Sequence, residues 1–313
     1  MPFKSVPQKF SASIAEVTVG TGDSALTLGG ENVFPLYSFD GAITNSPRVG
    51  IEFSDFGPDR TLPGIAAFYQ GADSIAEITR RACEKSGADF VSLVLEGADP
   101  NGHNRSVEEC TALCVEAAQA ATLPLVIQGC KNVEKDGKLF EKIAEALQGK
   151  NVLLLSAREE NYKTVAVAAV QAYGQKAGSE SAVDINLAKQ LNVLVSQLGV
   201  QPGNTVMNLG SAAAGYGFEY VISTMDRVRS AALAQNDTML QMPVVTPVGG
   251  EAWSVKESVV SEEDFPGWGP AEQRGIDMEV TTAAADIASG SNAVILRHPE
   301  SVSIIKKLVA ELV

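Results

Sequence analysis

From residue 49 onward, short apolar runs alternate with polar loops and amphipathic stretches. Runs at 49–53, 90–95, 125–128, 152–156, 205–209, 243–246 and 293–296 read as buried strands, and a weaker one lies at 181–183. Between them, periodic apolar positions predict helices over 74–86, 106–121, 138–147, 162–173, 185–198, 218–234, 271–288 and 301–312. The punctuation agrees with those helices. Asp73 or Ser74, and Asp184, are placed as caps, Ser106 with Glu109 spells a capping box, and Gly87, Gly149 and Gly174 follow helix ends.

Residues 1–45 follow a different rhythm. Phe10 to Val19 alternates, Gly20-Thr21-Gly22-Asp23 has turn chemistry, and Ala25 to Leu28 can return as a partner strand. Gly29-Gly30 follows, and Pro35 keeps the next stretch out of a regular helix. This reads as a hairpin plus an extended arm covering one end of a main domain at 46–313. Eight strand–helix units in about 265 residues point to an α/β fold, a closed (β/α)8 TIM barrel. The competing arrangement is an open doubly wound sheet. Its dinucleotide-binding form is disfavoured, because no Gly-x-Gly-x-x-Gly follows the first strand.

Composition narrows the partners. The chain has 313 residues and a net charge of −14, which argues against a nucleic-acid phosphate surface. No apolar run is long enough to span a membrane and no apolar signal core opens the sequence, so the cytoplasm is the expected compartment. Cys83, Cys110, Cys114 and Cys130 have neither Cys-x-x-Cys nor zinc spacing, and only His103 and His298 are available as imidazole ligands. Buried structural thiols and no metal site are expected.

In a barrel, chemistry belongs at the carboxyl ends of the strands. Those ends read Ser54-Asp55, Glu96-Gly97, Gln128-Gly129, Ser156-Ala157-Arg158, Asp184 with Asn186, Asn208, Thr246 to Glu251, and Arg297-His298. No lysine is there for Schiff-base chemistry. Asp55 and Glu96 are either an acid–base pair or loop ligands. The most unusual end follows 205–209: Gly210, Ser211, Ala212, Ala213, Ala214, Gly215, Tyr216 and Gly217, before a helix at Phe218. Residues this small let a bulky ligand approach the backbone, or else serve a tight turn. Gly249-Gly250 is either a phosphate loop or ordinary turn chemistry. Together, amides, hydroxyls and glycines suit a large, polar-fringed, largely uncharged ligand.

Several stretches resemble one family. Gly29-Gly30-Glu31-Asn32-Val33-Phe34-Pro35-Leu36-Tyr37, Gly215-Tyr216-Gly217-Phe218-Glu219-Tyr220, Gly250-Glu251-Ala252-Trp253, and Trp268-Gly269 with Arg274-Gly275 and Glu279 resemble the small subunit of the corrinoid iron–sulfur protein, including the related delta subunit of acetyl-CoA decarbonylase/synthase. The resemblance runs over essentially the whole chain. It implies a barrel paired with a large subunit that carries a [4Fe–4S] cluster, which this chain lacks, and a corrinoid domain. A cobamide at the interface of the two subunits would take a methyl group from methyltetrahydrofolate through a separate methyltransferase. It would deliver that group to acetyl-CoA synthase/CO dehydrogenase in the reductive acetyl-CoA (Wood–Ljungdahl) pathway. The residues expected against the corrin are Asn208, Gly210, Ser211, Ala212, Gly215, Tyr216, Gly217, Thr246, Gly249 and Gly250, with no catalytic residue and no metal ligand in this chain. The alternative is a pterin-dependent methyltransferase barrel, in which Asp55, Glu96, Asp184, Asn186 and Asn208 would hold the pterin.

Overall fold

A computed structural model describes residues 6–313; the first residues of the predicted arm, 1–5, lie outside the described residues. Eight parallel strands, β3 (Arg48–Ser54), β4 (Phe90–Val94), β5 (Leu125–Gln128), β6 (Leu153–Ala157), β7 (Lys176–Glu180), β8 (Thr205–Asn208), β9 (Val245–Pro247) and β10 (Ala293–Leu296), form one sheet in the order 8-7-6-5-4-3-10-9. The sheet curls until its two edges meet. Met207 of β8 donates its N–H to the Pro243 carbonyl at 2.8 Å, and Met207 and Val244 form a parallel bridge. The seam is thin because Pro243 and Pro247 have no N–H to give. The fold is a near-closed (β/α)8 barrel.

The helices agree closely with the periodicity. Ile75–Lys85 and Val107–Ala120 both start in full capping boxes, Ser74 with Glu77 and Ser106 with Glu109. Asp184 caps Ile185–Gln197 by accepting the N–H groups of Asn186 and Leu187. Three elements depart from the expectation. The helix expected at 138 begins at Val133, because the Asn132 side chain caps it by accepting the Lys135 N–H; Gly137 sits inside the helix. The strand expected at 181–183 lies at Lys176–Glu180. Its sequence, Lys-Ala-Gly-Ser-Glu, has no apolar run because Leu155 fills the space beside Gly178; a Cβ there would stand 2.4 Å from the leucine. Finally, only Val17–Val19 of the first predicted strand pairs, as β1 with β2 (Leu26–Leu28).

That hairpin meets the amino-terminal end of the barrel. Val17, Val19, Leu26 and Leu28 join Phe90, Val126, Leu153, Val206, Val245 and Ala293 in one apolar cluster inside the strands. A second, larger cluster fills the space between strands and helices. The arm is tied down by Glu31, which accepts from Asn292 at 2.8 Å beside the buried Arg229. Among the described residues, no helix is long and apolar enough to cross a membrane.

Candidate functional site at the carboxyl end of the barrel

Strand alternation builds the site. Side chains two residues apart share a face, so the inward apolar positions are followed by a polar tier at the carboxyl end. Gly50 leads to Glu52, Phe90 to Ser92, Val126 to Gln128, Gly178 to Glu180, Val206 to Asn208, and Ile295 to Arg297. This tier floors a mouth of about 410 Å³.

Its central group is Glu52, buried at 3% exposure in the middle of β3. One carboxylate oxygen accepts from Arg297 Nε at 3.2 Å and Nη2 at 2.9 Å. The other accepts from Gln128 Nε2 at 3.0 Å, and the same nitrogen reaches Ser92 Oγ at 3.0 Å. A buried carboxylate needs this much compensation to remain in the interior. Asn208 is equally committed: its Nδ2 donates to Ser156 Oγ at 2.9 Å and its Oδ1 accepts from Gly210 N at 3.0 Å. Higher on the wall, Arg158 binds Glu180 at 2.6 Å and Lys131 binds Glu251 at 3.1 Å. Beside them, Asp136 accepts from Cys130 N and Sγ, and burial raises its carboxyl pKa and pushes the Cys130 thiol up to about 12.

Behind the β10 end lies a second buried carboxylate. Glu279, from the helix Ala271–Ser289, accepts the N–H groups of Arg297 at 2.5 Å and His298 at 3.2 Å. Burial raises its pKa to about 7 against the pull of those donors. His298 is not free either: its Nδ1 caps the helix Pro299–Leu312, and its Nε2 lies 3.2 Å from Glu272. Burial holds this imidazole below its ordinary pKa. Trp253 stacks on that ring and packs flat against Gly275.

The ten residues expected at the ligand separate into groups. Asn208, Gly210, Ser211 and Gly250 line the mouth. Gly249 lies just behind it, where a Cβ would meet Glu52 Oε1 at 2.6 Å. Ala212 packs into the apolar cluster behind β8. Thr246 points outward between inward-facing Val245 and Pro247, and hydrogen-bonds Ser291. Gly215 borders a separate shallow recess on the outer helix face, and Tyr216 is exposed, with its hydroxyl 2.6 Å from Glu257; Gly217 begins the following helix. The other strand-end candidates are structural. Asp55 is paired with Arg105 and accepts Gly97 N, and Asp184 and Asn186 sit at an exposed helix start; Glu96, in contrast, lines the mouth, accepting Ser54 Oγ at 2.7 Å with its other oxygen 4.0 Å from Arg297.

The mouth is more charged than the strand ends suggest in sequence. Glu52 and Glu180 from the strands, with Asp99, Lys131 and Asp136 from the segments beyond them, account for the difference. Glu52 lies inside an apolar strand, where a lone carboxylate is itself a signal. Glu180 was hidden by the displaced strand. Among the described residues, no group of three or more His, Cys, Asp and Glu converges to hold a metal ion.

Comparison with known proteins adds the family. Solved structures of similar fold include dihydropteroate synthase from Thermus thermophilus in complex with 4-aminobenzoate, at a TM-score of 0.54 and 13% identity over 95% of this chain and all of that one. The Xanthomonas albilineans enzyme with 4-aminobenzoic acid gives 0.55 and 12%, over 95% and 98%. At such identities the likeness concerns the barrel alone. Sequence relatives are closer. The acetyl-CoA decarbonylase/synthase complex subunit delta of Archaeoglobus fulgidus is 32% identical over 98% of this chain and 70% of its own length. That of Methanothermobacter thermautotrophicus is 31% identical over 98% and 77%. With the family model matching residues 16–308, the chain belongs to the CO dehydrogenase/acetyl-CoA synthase delta subunit family.

Proposed function

We propose that this chain is the small subunit of a corrinoid iron–sulfur methyl carrier, and that the mouth of its barrel covers a cobamide shared with a larger subunit. Family membership supports a role in acetyl-CoA chemistry. The observation that carries the finer reading is the saturation of the mouth floor. Glu52 is held by Arg297 and Gln128, and Asn208 by Ser156 and Gly210. Acid–base work on a pterin needs an uncommitted carboxylate or amide within reach of the ring. A cover needs shape and a polar fringe instead.

The residues present fit such a ligand. Gly210 has φ 89° and lies against the Ala182 backbone, and a side chain at Gly250 would meet nothing within 4 Å. Glycine at these two positions leaves the mouth free of side chains just beyond β8 and β9. Ser211 Oγ is a buried oxygen without a partner, placed to serve a ligand amide. The Lys131–Glu251 and Arg158–Glu180 pairs offer donors and acceptors side by side, which is what peripheral amides require. When bound, the corrinoid supplies a cobalt that accepts and releases a methyl group; this chain orients and shelters it. The partners in this reading are the corrinoid-bearing large subunit with its [4Fe–4S] cluster, a methyltetrahydrofolate methyltransferase and acetyl-CoA synthase/CO dehydrogenase.

The test is methyl transfer by the purified chain alone, from methyltetrahydrofolate to free cob(I)alamin. No methylcobalamin above the protein-free blank is expected. Turnover by the isolated chain would instead assign a pterin-dependent methyltransferase.

A further inference from the structure

Beyond β8 and β9, two excursions bring aromatic side chains to one face. Tyr216 and Tyr220 come from the end of β8 and the start of the helix Phe218–Ala234; Val259, Phe265 and Trp268 come from the excursion after β9. The two are joined, because Tyr216 donates its hydroxyl to Glu257 at 2.6 Å. Tyr220 is 66% exposed, Val259 61% and Trp268 41%. Single exposed apolar residues are ordinary; a group of this kind on a soluble surface marks an interaction site.

Trp268 is held rigid although it is exposed. Its ring lies 4.4 Å from that of Phe265, with Lys256 Nζ 5.5 Å from the indole and 4.5 Å from the phenyl ring. The Arg274 guanidinium lies 5.9 Å from the indole, anchored to the carbonyls of Glu257, Val260 and Gly269. A side chain fixed before binding loses little rotamer entropy on docking. Beyond these two cations the exposed charge on both excursions is acidic: Glu262, Glu263 and Asp264 precede Phe265, and Glu219 precedes Tyr220.

We propose that this face docks a partner protein whose contact surface is apolar at its centre and ringed by lysine and arginine. The acidic surround disfavours anionic membranes, nucleic acid and a second copy of this chain, whose net charge is −14. The segments that lead into this face pass the mouth first, which Gly210-Ser211 and Gly250-Glu251 line, so the face extends the subunit reading given above and rests on it for the choice of probe.

The test uses the full chain and the corrinoid-bearing large subunit, with affinity and association rate measured at low and high salt. Trp268→Ala is expected to weaken the complex about thirtyfold or more, with an unchanged circular-dichroism melt. Glu219→Lys with Glu263→Lys is expected to slow association and flatten its salt dependence. Wild-type association with unaltered affinity and rate in both variants overturns the docking face alone. Absence of wild-type association overturns the face and the subunit reading together. A wild-type homodimer lost in Trp268→Ala puts a second copy on the face and overturns the charge argument.

Discussion

Arg297→Met asks whether the floor of the mouth is held by charge compensation. Glu52 is 3% exposed and receives two bonds from the guanidinium, at 3.2 and 2.9 Å, against one from Gln128 at 3.0 Å. Methionine keeps the length of the aliphatic stem, so the loss is mainly of charge. Removing one member of a buried pair costs about 3–5 kcal/mol. The Arg297 side chain is 27% exposed toward the mouth, and water entering there can replace part of its donation. The expected cost is therefore at the low end, about 3 kcal/mol. The double variant Glu52→Gln, Arg297→Met leaves no orphaned charge, so it is expected to be clearly more stable than the sum of the single losses predicts. Urea unfolding followed by circular dichroism at neutral pH measures both quantities, provided the slopes agree. A single variant within about 1 kcal/mol of wild type, or strictly additive losses, would show that solvent alone sustains Glu52.

Two further substitutions address the wall behind that floor. Glu279 has its pKa raised to about 7 by burial, so its contribution favours the folded state at acidic pH and is lost as pH rises from the ordinary glutamate range through 7. Glu279→Gln is expected to gain stability relative to wild type between pH 5 and 8, by about 3 kcal/mol at most; parallel pH profiles would contradict this. In Gly275→Ala, the new Cβ would stand 2.1 Å from the Trp253 ring. Overpacking of about 1–3 kcal/mol should outweigh a helix-propensity gain of about 1 kcal/mol. The expected outcome is a lower melting midpoint with altered Trp253 fluorescence in a Trp268→Phe background; a stabilised protein would reverse that ranking.

Much of the fold was legible because each unit carries its own signals. Ser106 with Glu109, Asp184 before Ile185, and glycines after the helices fix boundaries through backbone hydrogen bonding that is local in sequence. Lys176–Glu180 was illegible because its strand character comes from a neighbour: Leu155 occupies the volume that an apolar side chain at Gly178 would otherwise fill. The start of Val133–Ala146 was hidden because Gly137 reads as a boundary although the capping bond comes earlier, from Asn132. At the site, Asn208, Gly210, Ser211 and Gly250 could be placed by chain order alone. Gly215 and Tyr216 could not, since they follow the strand closely in sequence yet turn onto the outer face. Thr246 was a matter of parity, one residue away from the inward positions. Glu52 and Arg297 meet across 245 residues, and pairing at that range becomes visible only when the barrel closes.

The most direct measurement of the central claim is the corrinoid content of the two-subunit complex, read from its visible spectrum after gel filtration. Ser211 lies at the mouth with a buried, unpartnered hydroxyl, and Ser211→Phe would fill space in the mouth that the proposed ligand needs. The expected result is a severalfold loss of corrinoid per complex, with subunit stoichiometry and melting midpoint unchanged. A Ser211→Phe complex that retains its full corrinoid with an unaltered spectrum would contradict the claim that this mouth covers the cofactor.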